Sequence, residues 1–456
     1  MKKMNLEEIA GAVDARIIGG QTDLYCGRVS TDTRQIASGD LFIALVGERF
    51  DAHDFLPQAV EKGAAAVVAG QLPAEEISVP LLLVEDTLYA LQQLAAYNRR
   101  QFTLPVVAVT GSNGKTTTKD LIAAVLSRRY KTLRTMGNFN NHIGMPLTLL
   151  ELDDTYGAAV LEMGMRGLGE IELLASVARP TIAVITNIGE THLERLGSVE
   201  NIAAAKSEVL QRLHPEGTAI LNGDDPWVRK VSGKFKGRIL FYGTGADNDI
   251  RATDIRGIDG QATTFTVHCL DRQAEIRLPV PGRHNVLNAL AAVGVGLVTG
   301  LSLEQTAAGL AGAELTGMRL EILETGTYKI INDTYNANPA SAKAALDVLA
   351  DQAGGRRMVA VLGSMFELGE RAEPGHREVG AAAAQKGIGL LITVGDLAGY
   401  IAKGALEQGL TAEKVIHCED TAAARAALQE RLRDSDVILI KGSRGMKMEE
   451  IVQGMV

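Results

Sequence analysis

Val106 to Asp120 reads VVAVTGSNGKTTTKD. An apolar run enters a glycine-containing turn, and Lys115 with three threonines then opens a helical stretch. Gly111 and Gly114 allow the backbone to turn its N–H groups toward an anion, and the positive end of the following helix adds to that field. Lys115 supplies a point charge for the β- and γ-phosphates of ATP, and the Thr116 hydroxyl is placed to hold Mg²⁺. The common phosphate loop has four residues between its first glycine and its Gly-Lys pair. Here only Ser112 and Asn113 separate Gly111 from Gly114. The spacing therefore predicts an α/β nucleotide-binding unit with a shortened loop.

The rest of the chain must be arranged around that unit. At 456 residues it is too long for one core, so two to four domains are expected. Hydrophobic content of 46% and charged content of 22% fit a soluble globular protein. A net charge of −9 argues against nucleic acid as the main partner. Cys26, Cys269 and Cys418 lie far apart with no metal-type spacing, which predicts a reduced, cytoplasmic protein. Glu7 and Glu8 interrupt the N-terminal MKKMNLEEIAGAV, so it does not read as a signal peptide. No window approaches the roughly 18 apolar residues of a membrane span. No leftover apolar helix face is evident, so a monomer is expected.

Three regions follow from the patterning. Residues 1–98 read as a small α/β unit with strands at Asp40–Val46, Ala64–Ala69 and Pro80–Val84, and a helix at Thr87–Arg100 that leads away from them. Residues 99–316 hold the phosphate loop and further apolar strands at Gly157–Gly164 and Thr181–Gly189, which imply a parallel sheet. Within them Asp249–Pro281 alternates as exposed antiparallel strands do. Residues 317–456 repeat the strand–helix rhythm, with strands at Lys329–Asn332, Met358–Leu362, Leu390–Val394 and Val437–Ile440, and predict an open, doubly wound, Rossmann-like sheet.

Candidate site residues sit at the expected strand ends. Glu162 closes AAVLE, where a carboxylate faces the ligand crevice of an α/β sheet. His192 follows the next strand, and Thr116, Glu162 and His192 together are expected to form a cation site. Asn285 reads as a helix cap, whereas Asn288, one turn further in, is placed to read an adenine edge. Arg319 in GMRLE and Asp333, which ends a strand ahead of the TYNANP loop, are further candidates. Ser198 reads as the N-cap of a helix whose apolar face carries Val199, Ile202, Val209, Leu210 and Leu213. Lys206 falls on that face. Periodicity alone favours a lysine that snorkels to solvent; burial would instead leave a neutral amine.

The order of TGSNGKTTT, LEMG, NIGETHLERLGS, AAAKSE, RHNVLNALAA, MRLE and NDTYNANP resembles that of the Mur ligases, ATP-dependent amide-forming enzymes of peptidoglycan precursor synthesis. The resemblance covers nearly the whole chain. Segments STDTR, ALVGERFDAHDF, TMGNFNNHIGMPLTLL and VLGSMFELGE are similar to the branch that joins D-alanyl-D-alanine to UDP-N-acetylmuramoyl-tripeptide. Thr33 stands where that branch often has Ser and keeps the hydroxyl. The Asp-Asn-Pro-Arg segment typical of the diamino-acid-adding branch is absent. The resemblance implies a first domain for the UDP end, with Ser30, Thr31, Asp32, Arg34, Gly47, Asn138 and Asn141 on the substrate. It implies a middle ATPase domain, with Gly111, Ser112, Asn113, Gly114, Lys115, Thr116, Thr117, Asn288, Arg319 and Asp333 on ATP. A last domain would bring the amine. It implies catalytic roles for Lys115, His192 and Lys206, and two Mg²⁺ ions, one at Thr116 and a second near Glu162 and His192 that a carbamylated Lys206 would join. Another amide ligase of the superfamily, such as a diamino-acid-adding or folylpolyglutamate-type enzyme, and a nucleotide-switched binding protein remain open alternatives.

Overall fold

In a computed structural model that describes residues 1–48, 50–258 and 260–456, the chain forms three sheets of five, nine and six strands and a small two-stranded ribbon. Arg49 of the GERFDAHDF segment and Asp259 lie outside the described residues. Among the described residues no helix is long and apolar enough to cross a membrane.

The first sheet runs in the order Arg16–Ile18, Leu81–Leu83, Ala66–Ala69, Leu41–Ile43, Val29–Ser30, parallel except for its first pair. The helix Thr87–Arg100 begins where Asp86 accepts hydrogen bonds from the Leu88 and Tyr89 amides. It does not simply lead away from this unit. Asn98, fully buried, donates to the carbonyls of Leu149 and Leu152, and Arg99 donates to that of Ala178. Its apolar residues Leu91, Leu94 and Ala95 share one continuous core with Met145, Leu149, Ile171 and Leu174 of the central unit. The helix therefore belongs to both units, because its two faces are apolar enough to be covered from both sides.

The central sheet has the order Arg272–Leu278, Ala262–Cys269, Ile250–Ile258, Arg238–Gly243, Thr218–Asn222, Ile182–Ile185, Val106–Thr110, Ala158–Glu162, Thr132–Arg134. Val106–Thr110 is buried along its whole length, as a central parallel strand covered by helices on both faces requires. Glu162 pairs with Val109 and Ile185 with Thr110, so the carboxyl ends of three strands finish together beside the loop. The segment expected to be antiparallel forms the last three strands and extends this same sheet.

The third sheet has the order Glu321–Glu324, Lys329–Asp333, Val437–Lys441, Met358–Gly363, Leu390–Val394, Val415–Cys418, with separate apolar cores on its two faces. Only its first strand is antiparallel. Asp333 and Lys441 are register partners at one strand edge.

Candidate active site

The loop helix, Lys115–Leu126, starts from Gly114, whose φ of 78° is left-handed. A Cβ there would stand 2.5 Å from Asn288 Oδ1, and one on Gly111 (φ 145°) would stand 1.9 Å from Thr186 Oγ1, so both positions require glycine. The amides of Ser112 and Asn113 do not face an anion as expected: they donate to the Asn187 carbonyl and to Asn187 Oδ1, each at 2.9 Å. Ser112 Oγ also exchanges hydrogen bonds with the Gly189 carbonyl and amide. Ser112 and Asn113 thus tie the loop to segment 186–191. The first helical bond runs from the Thr118 amide to the Gly114 carbonyl, and the amides of Gly114, Lys115, Thr116 and Thr117 have no protein partner among the described residues. Four free donors at a helix start form an anion site. The shortened loop places that site on residues 114–117 rather than on the loop itself.

Two lysines converge below it. Lys115 Nζ donates to the Gly111 carbonyl at 2.8 Å, and Lys206 Nζ donates to the same oxygen at 3.1 Å. Lys206 lies on the helix Val199–Gln211, capped by Ser198, and is 2% exposed, so it does not snorkel. Burial, and then the neighbouring Lys115 charge, push the Lys206 amine well below the ordinary lysine range. Burial likewise lowers the Lys115 amine, opposed by Glu162 and reinforced by Arg319.

Thr116 Oγ1 donates to Glu162 Oε2 at 2.7 Å, and Asn140 Nδ2 donates to Glu162 Oε1 at 2.8 Å. Asn140 escaped the sequence reading, which singled out its neighbours Asn138 and Asn141 instead. Asn138 is exposed, and Asn141 accepts the amides of Ile143 and Gly144 at the start of the helix Gly144–Leu149. His192 does not join Thr116 and Glu162 in one shell here. Its Nδ1 lies 2.6 Å from Glu367 Oε2 of the last unit, off the line of the ring N–H. The His192 contact holds the Glu367 carboxyl below its usual range. Among the described residues no three His, Cys, Asp or Glu side chains cluster as a metal site.

Asn285 is not the cap of its helix. Gly282 occupies the cap, and Asn285 sits inside the first turn, donating to the Pro281 carbonyl and accepting from Asn288 Nδ2. Asn288 Oδ1 in turn accepts from Thr118, so the Asn288 amide is engaged at both ends directly behind Gly114.

The last unit closes over the loop. Arg319 Nη2 donates to Thr116 Oγ1 at 2.8 Å while its guanidinium stacks 4.0 Å from the Tyr335 ring centre. Asn338 Nδ2 donates to Asn113 Oδ1 at 2.6 Å. Asp333 is held by Lys441 Nζ at 2.5 Å and by the Leu320 amide. The strand expected over Val437–Ile440 extends to Lys441, whose pairing with Asp333 depends on sheet register and was not legible in the sequence. A cavity of about 270 Å³ lies beside the contact, lined by Gly189, Glu190, Asn338, Lys343, Arg371 and Glu378.

On the first unit, Ser30 ends its strand and binds the Asp32 backbone, while Arg34 forms a bidentate pair with Asp32 and holds its carboxyl well below the usual range. Thr31 lies half-buried between them, and the Gly47 amide donates to the Phe50 carbonyl.

Three family models match the chain: "Mur ligase family, catalytic domain" over residues 27–99, "Mur ligase middle domain" over 109–296 and "Mur ligase, glutamate ligase domain" over 318–444. The chain is 44% identical over 459 residues to the UDP-N-acetylmuramoyl-tripeptide--D-alanyl-D-alanine ligase of Bacillus subtilis, covering 100% of this chain and 99% of that protein. It is 38% identical to the Escherichia coli ligase of the same name, with 100% and 99% covered. A crystal structure of MurF from Acinetobacter baumannii superposes with a TM-score of 0.90 at 34% identity, covering 100% of this chain and 99% of that one. With matches along its whole length in sequence and in fold, the chain belongs to the Mur ligase family.

Proposed function

We propose that this protein is an ATP-dependent ligase that joins D-alanyl-D-alanine to UDP-N-acetylmuramoyl-tripeptide. The observation that carries the reading is the 44% identity over the full chain to a ligase of that name. The site supplies the chemistry. A carboxylate does not condense with an amine at neutral pH, because oxide is too poor a leaving group. Transfer of the ATP γ-phosphoryl group to the carboxylate gives an acyl phosphate; the amine attacks its carbonyl, and phosphate leaves from the tetrahedral intermediate.

The amides of residues 114–117 cradle the phosphates, and Lys115 swings from its own loop carbonyl to neutralise them. Arg319, already on Thr116, brings a second positive charge from the last unit. Asp333, fixed by Lys441, offers its remaining acceptor capacity to the ribose. Thr116 and Glu162 are hard oxygen donors of the kind Mg²⁺ takes together with substrate phosphates, and only one carboxylate need come from the protein. Bound there, the cation would offset charge on the transferring phosphoryl group.

Lys206 fits carbamylation. Its depressed basicity makes the neutral amine available, which adds to carbon dioxide with loss of one proton to give an anionic N–CO₂⁻ group. His192, held here beside Glu367, would have to turn from it to join the site, and the Ser30–Arg34 loop takes the UDP end. The test is ADP release with UDP-N-acetylmuramoyl-tripeptide, with and without D-alanyl-D-alanine. Turnover that requires both is expected; turnover indifferent to the dipeptide would support a nucleotide switch, and dependence on a single amino acid another ligase branch.

A further inference from the structure

Asp120 lies one helical turn beyond Thr116 on the loop helix and is 1% exposed. Its Oδ1 takes Lys119 Nζ at 3.1 Å and Arg134 Nη1 at 3.3 Å. Its Oδ2 accepts from the Thr316 amide at 2.9 Å and from Thr316 Oγ1 at 2.8 Å. Thr316 belongs to the linker between the central sheet and the last one. Three residues on, Arg319 donates to Thr116 Oγ1. The linker therefore runs back along the loop helix and is fastened twice: Thr316 on Asp120, Arg319 on Thr116. The two helix residues are four apart and so share one face.

Beyond Thr316 the linker is tied to the last unit instead. The Met318 amide donates to Glu321 Oε2, the Tyr335 amide donates to the Met318 carbonyl, and the Leu320 amide donates to Asp333. Met318 (φ 61°) and Leu320 (φ 52°) flank Arg319 in left-handed conformations, which non-glycine residues hold only when their surroundings enforce it. The exposed Gly317 alone stands between the part held by the central unit and the part held by the last one.

We propose that Asp120, through Thr316, is a positioning residue for Arg319, pinning the linker so that the guanidinium of the last unit is delivered to the phosphate corner. This rests on the reading of Arg319 as a phosphate-neutralising group. Both oxygens of Asp120 are already engaged by Lys119, Arg134 and Thr316, so it acts through Arg319. Its buried carboxylate is the fixed end of a short tether whose other end is Arg319.

Asp120→Asn would leave Lys119 buried beside a neutral group, so the test is placed on the half-buried Thr316. Thr316→Val, Thr316→Ser, Arg319→Ala and the double variant Thr316→Val/Arg319→Ala are compared by kcat and by KM for the muramoyl substrate. Thr316→Val is expected to lower kcat about tenfold, the scale of one hydrogen bond to a charged group, with KM within about twofold. Thr316→Ser restores most of kcat. In the Arg319→Ala background, Thr316→Val changes kcat by less than about twofold, since the effect is already spent. A Thr316→Val enzyme as fast as wild type, a serine variant as slow as the valine one, or an undiminished loss in the Arg319→Ala background would each overturn the inference. A fully active Arg319→Ala enzyme would overturn the reading of Arg319 beneath it.

Discussion

Lys206 shows how one residue's environment decides its chemistry. An ammonium at 2% exposure with a single carbonyl partner and another lysine on that same carbonyl is an expensive way to hold a charge. Burial and the Lys115 charge shift this amine toward its neutral form, the form the proposed carbamylation requires. Lys206→Ala should lower turnover at least about a hundredfold, the scale of one electrostatic stabiliser, and added acetate should restore part of it by supplying the missing carboxylate. Steady-state rates with and without acetate check this; a fully active variant would remove Lys206 from the mechanism. The sequence placed Lys206 on an apolar helix face but could not choose between snorkelling and burial, because the difference lies in what covers that face. The placement of Lys115 and Thr116 at the start of the loop helix was legible because it is set within one short segment. Asn140, Lys441 and the Asp120–Thr316 contact were not, since each acquires its meaning only from a partner far along the chain.

Among the elements, buried parallel strands were the most legible. Leu390–Val394 was placed to the residue, and Val106–Thr110 was read directly from its apolar run and following glycine. Short edge elements were not: the strand expected over Asp40–Val46 spans only Leu41–Ile43. The helix Thr87–Arg100 was placed correctly but assigned to one unit, because hydrophobic periodicity reports that a face is buried and not against what. Its double allegiance makes a stability prediction. Asn98→Ala leaves the Leu152 carbonyl and the Lys2 amide without their partner and takes one of two donors from the Leu149 carbonyl, which should cost about 2 kcal/mol. Urea unfolding checks this through the midpoint of the transition that includes the first and central units. A shift below about 0.5 kcal/mol would mean that the helix junction contributes little.

At the scale of the whole molecule, the contacts between the central and last units gather around the loop: Arg319 on Thr116, Asn338 on Asn113, Arg371 on Glu190 and Glu367 beside His192. A site divided in this way is complete only when the units are together, an arrangement that in the proposed mechanism would keep water from the acyl phosphate. The three-part α/β division was legible from strand–helix alternation, but the crossing contacts were not, because each joins residues far apart in the chain, by 181 to 225 positions in three of them. The proposed reaction turns on ATP activating the substrate's own carboxylate. The measurement is the fate of ¹⁸O when UDP-N-acetylmuramoyl-tripeptide, labelled in both oxygens of the reacting carboxylate, is turned over with ATP and D-alanyl-D-alanine. One labelled oxygen should appear in each phosphate released, detected by its ³¹P isotope shift, with ADP as co-product and the second label in the new amide; unlabelled phosphate, or label in AMP, would contradict the account.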